Sequence, residues 1–168
     1  DDAAFDAHFA FTRAVGEAFL AAFPPIVRRR MDHAWSDSDK ARQLEKPWVL
    51  DPVGAGATPY RNEVLKALVK KKPDVVRGNG SEILALMGKS AARGVDSANA
   101  SVEALDAARD LARKTGGVVA VTGAVDYVTD GKQLAAVDNG HPLMGRVTAT
   151  GCALTCLVGA CVAVTAEP

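Results

Sequence analysis

The run Val147-Thr148-Ala149-Thr150-Gly151-Cys152-Ala153-Leu154 sets small and hydroxyl-bearing residues ahead of a long apolar stretch. If that stretch is helical, the N–H groups of Thr150, Gly151 and Cys152 lack partners inside the helix, and together with its dipole they favour an anion. Read alone, an ordinary tight turn is the plainer interpretation. Three other places carry groups that act on phosphates and cations. Asp51-Pro52-Val53-Gly54 puts a carboxylate where the run Trp48-Val49-Leu50 opens into a loop, and Asp51 there can hold a magnesium ion. Arg77-Gly78-Asn79-Gly80-Ser81-Glu82 offers a guanidinium suited to phosphate, an amide and a carboxylate. Val121-Thr122-Gly123 adds a hydroxyl and a glycine. Singly, Glu82 is an acid at a helix start and Arg77 a surface charge. Together they form the inventory of phosphoryl transfer, where positioning and charge stabilisation supply most of the catalysis.

These groups need a scaffold that brings distant segments to one edge, and the texture of the chain from Lys46 onward predicts one. Short β-like runs alternate there with helical ones, the signature of a parallel α/β sheet. Trp48-Val49-Leu50, Asp74-Val75-Val76-Arg77 and Val118-Val119-Ala120-Val121 read as strands. Thr58-Pro59 supplies an N-cap and a first-turn proline to a helix with Val64, Leu65, Leu68 and Val69 on its apolar face, ending near Lys72-Pro73. Ser81 is placed to cap a short helix through Met87, and Ser101 another that runs to Gly116-Gly117. Tyr127-Val128-Thr129 and Leu134-Ala135-Ala136-Val137 flank Asp130-Gly131 and read as an antiparallel hairpin. A last helix begins at about Cys152.

Before Lys46 the chain has a different character. All five phenylalanines fall in its first 23 residues, where Phe5, Phe9, Phe19 and Phe23 suit one face of a helix ended by Pro24-Pro25. Arg28 to Glu45 is polar and reads as a connector, its Arg28-Arg29-Arg30 as solvated surface. The expected organisation is a helical segment and connector over residues 1–45 and an α/β core over 46–168. Composition removes several classes of function. Twenty basic residues balance twenty acidic ones, so no overall field attracts nucleic acid or an anionic membrane. No apolar run reaches the roughly 20 residues of a spanning helix, and Asp1-Asp2 lacks a signal peptide's basic flank, so a soluble, cytoplasm-like location is expected. Cys152, Cys156 and Cys161 lie too close together for a disulfide framework. They read as buried thiols rather than zinc ligands. His141, beside Pro142, reads as structural or surface, His8 and His33 carry no visible context, and Trp48 and Tyr127 read as core or pocket wall.

Taken in order, Asp51-Pro52-Val53-Gly54, Arg77-Gly78-Asn79-x-Ser81-Glu82-Ile83, Val119-Ala120-Val121-Thr122-Gly123, Asp126-Tyr127, Asn139-Gly140-His141-Pro142-Leu143 and Thr148-x-Thr150-Gly151-Cys152-Ala153-Leu154 resemble the hydroxyethylthiazole kinase family. The resemblance runs from Lys46 to Val164 and implies a ribokinase-like three-layer α/β/α fold with a mostly parallel central sheet, present in part. It implies transfer of the γ-phosphoryl group of ATP to the primary alcohol of 4-methyl-5-(2-hydroxyethyl)thiazole, with Mg2+, in thiamine salvage, by a homotrimer with sites between subunits. On matching positions, Arg77 and Thr122 contact ATP, Asp51 and Glu82 surround magnesium, Ala149 touches substrate, and Thr150 and Gly151 form the anion hole. Cys152 takes the base position, where most ribokinase-like enzymes have aspartate and this family has cysteine. The positive end of a helix favours the thiolate of a cysteine placed there.

Some features depart from the family. Ala149 stands where it usually has glycine and Gly145 where it usually has threonine. The N-terminal elements that build much of the thiazole pocket have no clear counterpart in residues 1–45, and the last helix stops at Pro168, so a fragment or a reduced relative is expected. Two rival readings stay open, a non-catalytic binding relative that keeps the core, and another ribokinase-like enzyme such as a pyrimidine-precursor kinase or an ADP-dependent hydrate dehydratase. Cys152 and the run Asn139 to Leu143 speak against the latter.

Overall fold

The structure is a computed structural model that describes residues 37–89 and 101–165. The chain falls into two compact units, Asp1–Asp37 and Ser38–Pro168, and the elements below belong to the second. The phenylalanine-rich helix expected before Pro24 lies outside the described residues. Five strands form one sheet in the order β1-β2-β3-β4-β5: Val49–Leu50, Val75–Asn79, Val118–Thr122, Asp126–Thr129 and Leu134–Val137. The first three run parallel and the last two add an antiparallel hairpin. This is the expected α/β architecture.

Pairing register sorts the strand residues onto two faces. Leu50 pairs with Val76 and Val76 with Val119, while Val121 lies two residues further along β3. All four are buried in the core with Leu65, Leu68 and Val69 of helix α1 (Pro59–Lys70), Ile83, Leu84 and Leu86 of α2 (Gly80–Leu86), and Ala108, Leu111 and Ala112 of α3 (Leu105–Thr115). Because strand side chains alternate between faces, Val49, Arg77, Ala120 and Thr122 point to the opposite side. There α4 (Thr150–Val164) packs against β1. Helices thus cover both faces, giving the three expected layers.

Local chemistry accounts for most element ends. Thr58 caps α1, its hydroxyl accepting from Arg61 N, and Pro59 opens the helix. Gly116, at φ 76°, closes α3 in the left-handed conformation that glycine adopts without penalty. Several expectations are corrected. Asn79, not Ser81, caps α2, because its Oδ1 reaches Glu82 N at 2.9 Å while Glu82 Oε2 accepts from Asn79 N, a capping box. Ser101 is not an N-cap: it is buried among helical residues 101–103, and α3 starts at Leu105 after Ala104 without a side-chain cap. Residues 38–43, expected as connector, are helical, with Asp39 paired to Lys71 at 2.7 Å. The hairpin stands as expected, its loop running from Asp130 to Gln133, where Asp130 Oδ1 accepts from both Lys132 N and Gln133 N at 2.7 Å.

Those bonds, to Gln133 foremost, hold the Asp130 carboxyl below its ordinary value of 3.8. A depressed acid contributes order above its unfolded pKa and loses it as pH falls through the folded one. The Lys132 and Gln133 amide resonances should therefore stay put from neutral pH to about 4 and move below it. In the core, Ile83 is fully buried. Ile83→Ala should lower the unfolding free energy by about 3 kcal/mol in urea titration, from lost transfer energy plus the cavity left behind.

Candidate active site

The three parallel strands bring their carboxyl ends to one edge, and register places the predicted residues there. Asp51 follows Leu50, whose partner Val76 precedes Arg77, and Thr122 ends β3 opposite Asn79. Arg77 is the meeting point. Its Nη2 donates to Thr122 Oγ1 at 2.6 Å and its Nη1 lies 3.6 Å from Asp51 Oδ2. Both partners of that ion pair are largely shielded, with 11% and 15% of their side-chain surface exposed. A shielded cation needs such compensation, because removing one partner leaves a charge with no partner.

The start of α4 closes over this pair. A Cβ built on Gly151 would lie 2.7 Å from Arg77 Nη1, closer than real Cβ atoms come, and 3.2 Å from Nη2. Glycine at 151 thus lets the helix start approach the guanidinium closely, and a side chain there would push Arg77 aside. The first backbone bond of α4 is Ala153 N to Ala149 O at 3.0 Å, so the N–H groups of Thr150, Gly151 and Cys152 precede the hydrogen-bonded ladder. Ala149 is the N-cap, at φ 65° and ψ 14°, and gives no side-chain cap. Thr150 Oγ1 turns back to donate to Val147 O at 2.7 Å, steadying the turn. A helix start beside a guanidinium makes an anion site with fixed donors.

Glu82 sits beside this cluster with much of its hydrogen-bonding capacity already in use. Oε1 accepts from Gly54 N and Oε2 from Asn79 N, each at 2.9 Å, so it ties the loop after β1 to the start of α2. The loop also closes on itself: Ala55 N donates to Pro52 O and Gly56 N to Asn62 Oδ1. The amides of Gly54, Ala55 and Gly56 are thus engaged, unlike the first ones of α4. Asp51 differs again, since its Oδ1 is buried with no hydrogen-bond partner. Among the described residues, no three or more of His, Cys, Asp and Glu gather as a metal cage. Magnesium characteristically takes one or two carboxylates plus water and phosphate oxygens, and the free Oδ1 of Asp51 suits that requirement.

Cys152, Cys156 and Cys161 are exposed, not buried as expected, because α4 touches the sheet through β1 and buries no residue fully. Cys152 thereby presents a free thiol one residue past Gly151. His141 has the structural role expected of it, its Nδ1 accepting from Leu143 N at the start of the 3-10 turn Pro142–Arg146. Trp48 and Tyr127 pack against the core. Sequence reasoning missed Thr155, whose hydroxyl donates to Asp51 Oδ2 at 2.6 Å. The one available signal was its place a turn after Gly151 on an apolar helix.

The family model described as the hydroxyethylthiazole kinase family matches residues 14–168. The hydroxyethylthiazole kinase of Granulibacter bethesdensis is 57% identical over 129 residues, 76% of this chain and 47% of that protein. That of Tolumonas auensis is 53% identical over 124 residues, 73% of this chain and 46% of that one. The structure of hydroxyethylthiazole kinase protein from Pyrococcus horikoshii OT3 superposes with a TM-score of 0.70 at 48% identity, over 84% of this chain and 51% of that one. A Bacillus subtilis pyridoxal kinase, at TM-score 0.59 and 23% identity, shares the fold. The chain spans about half the length of the curated relatives it matches.

The left-handed Ala149 supplies a direct check on the turn. A Cβ in that conformation costs about 1 kcal/mol or more, which glycine relieves at some cost in unfolded-chain entropy. Ala149→Gly should leave the fold unchanged and raise the unfolding free energy by about 0.5 kcal/mol, read from paired denaturant titrations.

Proposed function

The chain belongs to the hydroxyethylthiazole kinase family, and from that premise we propose that it carries the phosphate-binding and catalytic part of an ATP-dependent kinase. The acceptor in this reading is the primary alcohol of 4-methyl-5-(2-hydroxyethyl)thiazole, as in thiamine salvage. The observation that carries it is the convergence of Asp51, Arg77 and Thr122 beneath the backbone of Gly151 at one sheet edge.

Roles follow from what each group can do. Arg77 and Thr122 hold ATP phosphates, exchanging their mutual bond for bonds to the ligand. The N–H groups of Thr150 and Gly151 take the charge that develops on the transferred group. Cys152 accepts the proton of the acceptor hydroxyl as that oxygen bonds to the γ-phosphorus and the bond to ADP breaks. Ala149 lies against the acceptor. Asp51, whose Oδ1 is unpartnered, would hold magnesium together with Glu82. When bound, magnesium offsets the charge of the phosphate oxygens.

The reading extends to residues 46–168 as the kinase core, with 1–45 as a separate N-terminal segment. It extends also to a homotrimer in the cytoplasm that binds neither nucleic acid nor membrane. Exposed Leu157 and Val164 on α4 support a covering subunit, and no helix among the described residues is long and apolar enough to cross a membrane. One observation favours a second reading, a non-catalytic binding relative: the strained Ala149 occupies the turn that must admit the acceptor.

Coupled detection of ADP, with ATP, magnesium and the thiazole alcohol, decides between them. The chain should turn over, and Cys152→Ala should lower kcat by about 100-fold or more with little change in KM for ATP, the usual loss on removing a general base. Turnover unaffected by Cys152→Ala removes the thiol from the chemistry. Nucleotide binding without any turnover selects the binding relative.

A further inference from the structure

We infer that Thr155 is a positioning residue that aims Asp51, fixing which carboxylate oxygen is free for a divalent cation. The inference rests on the kinase reading above for its ligand, not for its geometry. Thr155 and Asp51 lie 104 residues apart in the chain, yet their side chains meet at 2.6 Å, the length of a charge-assisted hydrogen bond from a hydroxyl to a carboxylate. A threonine hydroxyl has one proton to give. The alternative acceptor, Gly151 O, is 3.2 Å away, so the proton goes to Asp51 Oδ2.

Oδ2 is then satisfied, with Arg77 Nη1 as its second neighbour at 3.6 Å. Oδ1 is left buried and unpartnered. An unpaired buried carboxylate oxygen is costly, and it persists where a neighbour fixes the group's rotation. Thr155 is the described hydrogen-bond donor to Asp51, and a β-branched residue in a helix is itself held to few rotamers. It also stands four residues after Gly151 on α4. The same bond therefore anchors the helix start that carries Thr150, Gly151 and Cys152 to the strand end that carries Asp51. Carboxylate and anion hole are set relative to each other by one hydroxyl.

The test compares the full chain with Thr155→Val, which keeps the shape and removes the hydroxyl, and Thr155→Ser, which keeps the hydroxyl. Calorimetric titration with ATP is run with magnesium and again with chelator. Thr155→Val should lose about tenfold in the affinity gained from magnesium, beyond any smaller loss that metal-free ATP shows, and be restored by Thr155→Ser. An unchanged magnesium gain in Thr155→Val overturns the inference, as does an equal loss with and without magnesium, or a parent chain that gains nothing from magnesium. If the parent chain binds no ATP at all, the kinase reading fails separately, and amide hydrogen exchange at Ala153 to Cys156 decides the anchor. Faster exchange in Thr155→Val with recovery in Thr155→Ser upholds it, and identical exchange in all three overturns it.

Discussion

The guanidinium of Arg77 lies under the backbone of Gly151, and the arrangement around it follows from that contact. A cation this shielded needs a carboxylate and good acceptors, which Asp51 and Thr122 provide from the strands on either side. Gly151 lets the helix above come close to this cation, since a Cβ there would lie 2.7 Å from Nη1. Parallel pairing is what brings the three contributions to the same edge, since only then do successive strand ends point the same way. The core on the other face supports the arrangement. Leu50, Val76, Val119 and Val121 are buried by α1, α2 and α3, which holds β1, β2 and β3 in the register that aligns Asp51, Arg77 and Thr122.

Charge and backbone donors divide the labour at this edge. The amides at the start of α4 precede its ladder, whereas those of the loop after β1 are occupied by Pro52, Asn62 and Glu82. The loop is therefore structure that supports Asp51, and the helix start is where donors remain for the anion of the proposed reaction. Glu82 links the two strand ends by bonding Gly54 N and Asn79 N at once. In that position it stiffens the edge, which serves any ligand bound there.

Features set by neighbours in sequence were legible in advance. Thr58-Pro59 opened α1, Gly116 closed α3, and alternating texture from Lys46 gave the strands, because caps, prolines and glycines act within a few residues. The four residues Asp51, Arg77, Thr122 and Gly151 were legible as a set once a parallel sheet was inferred. What stayed hidden depends on contacts across the chain. Thr155 meets Asp51 only in the folded protein. Asn79 outcompeted Ser81 as a cap because Glu82 could answer it. The cysteines are exposed rather than buried, and an uncharged helix resembles core in sequence whether or not neighbours cover it.

In the proposed function this one sheet edge receives nucleotide phosphate between Arg77 and the start of α4. Amide chemical-shift mapping of the chain titrated with ATP and magnesium tests it most directly. Shifts should concentrate at Gly151, Cys152, Thr122, Gly123 and the Pro52 to Gly54 loop. Shifts confined to the opposite end of β1, around Lys46, Lys71 and Lys72, or no shifts at all, would contradict it.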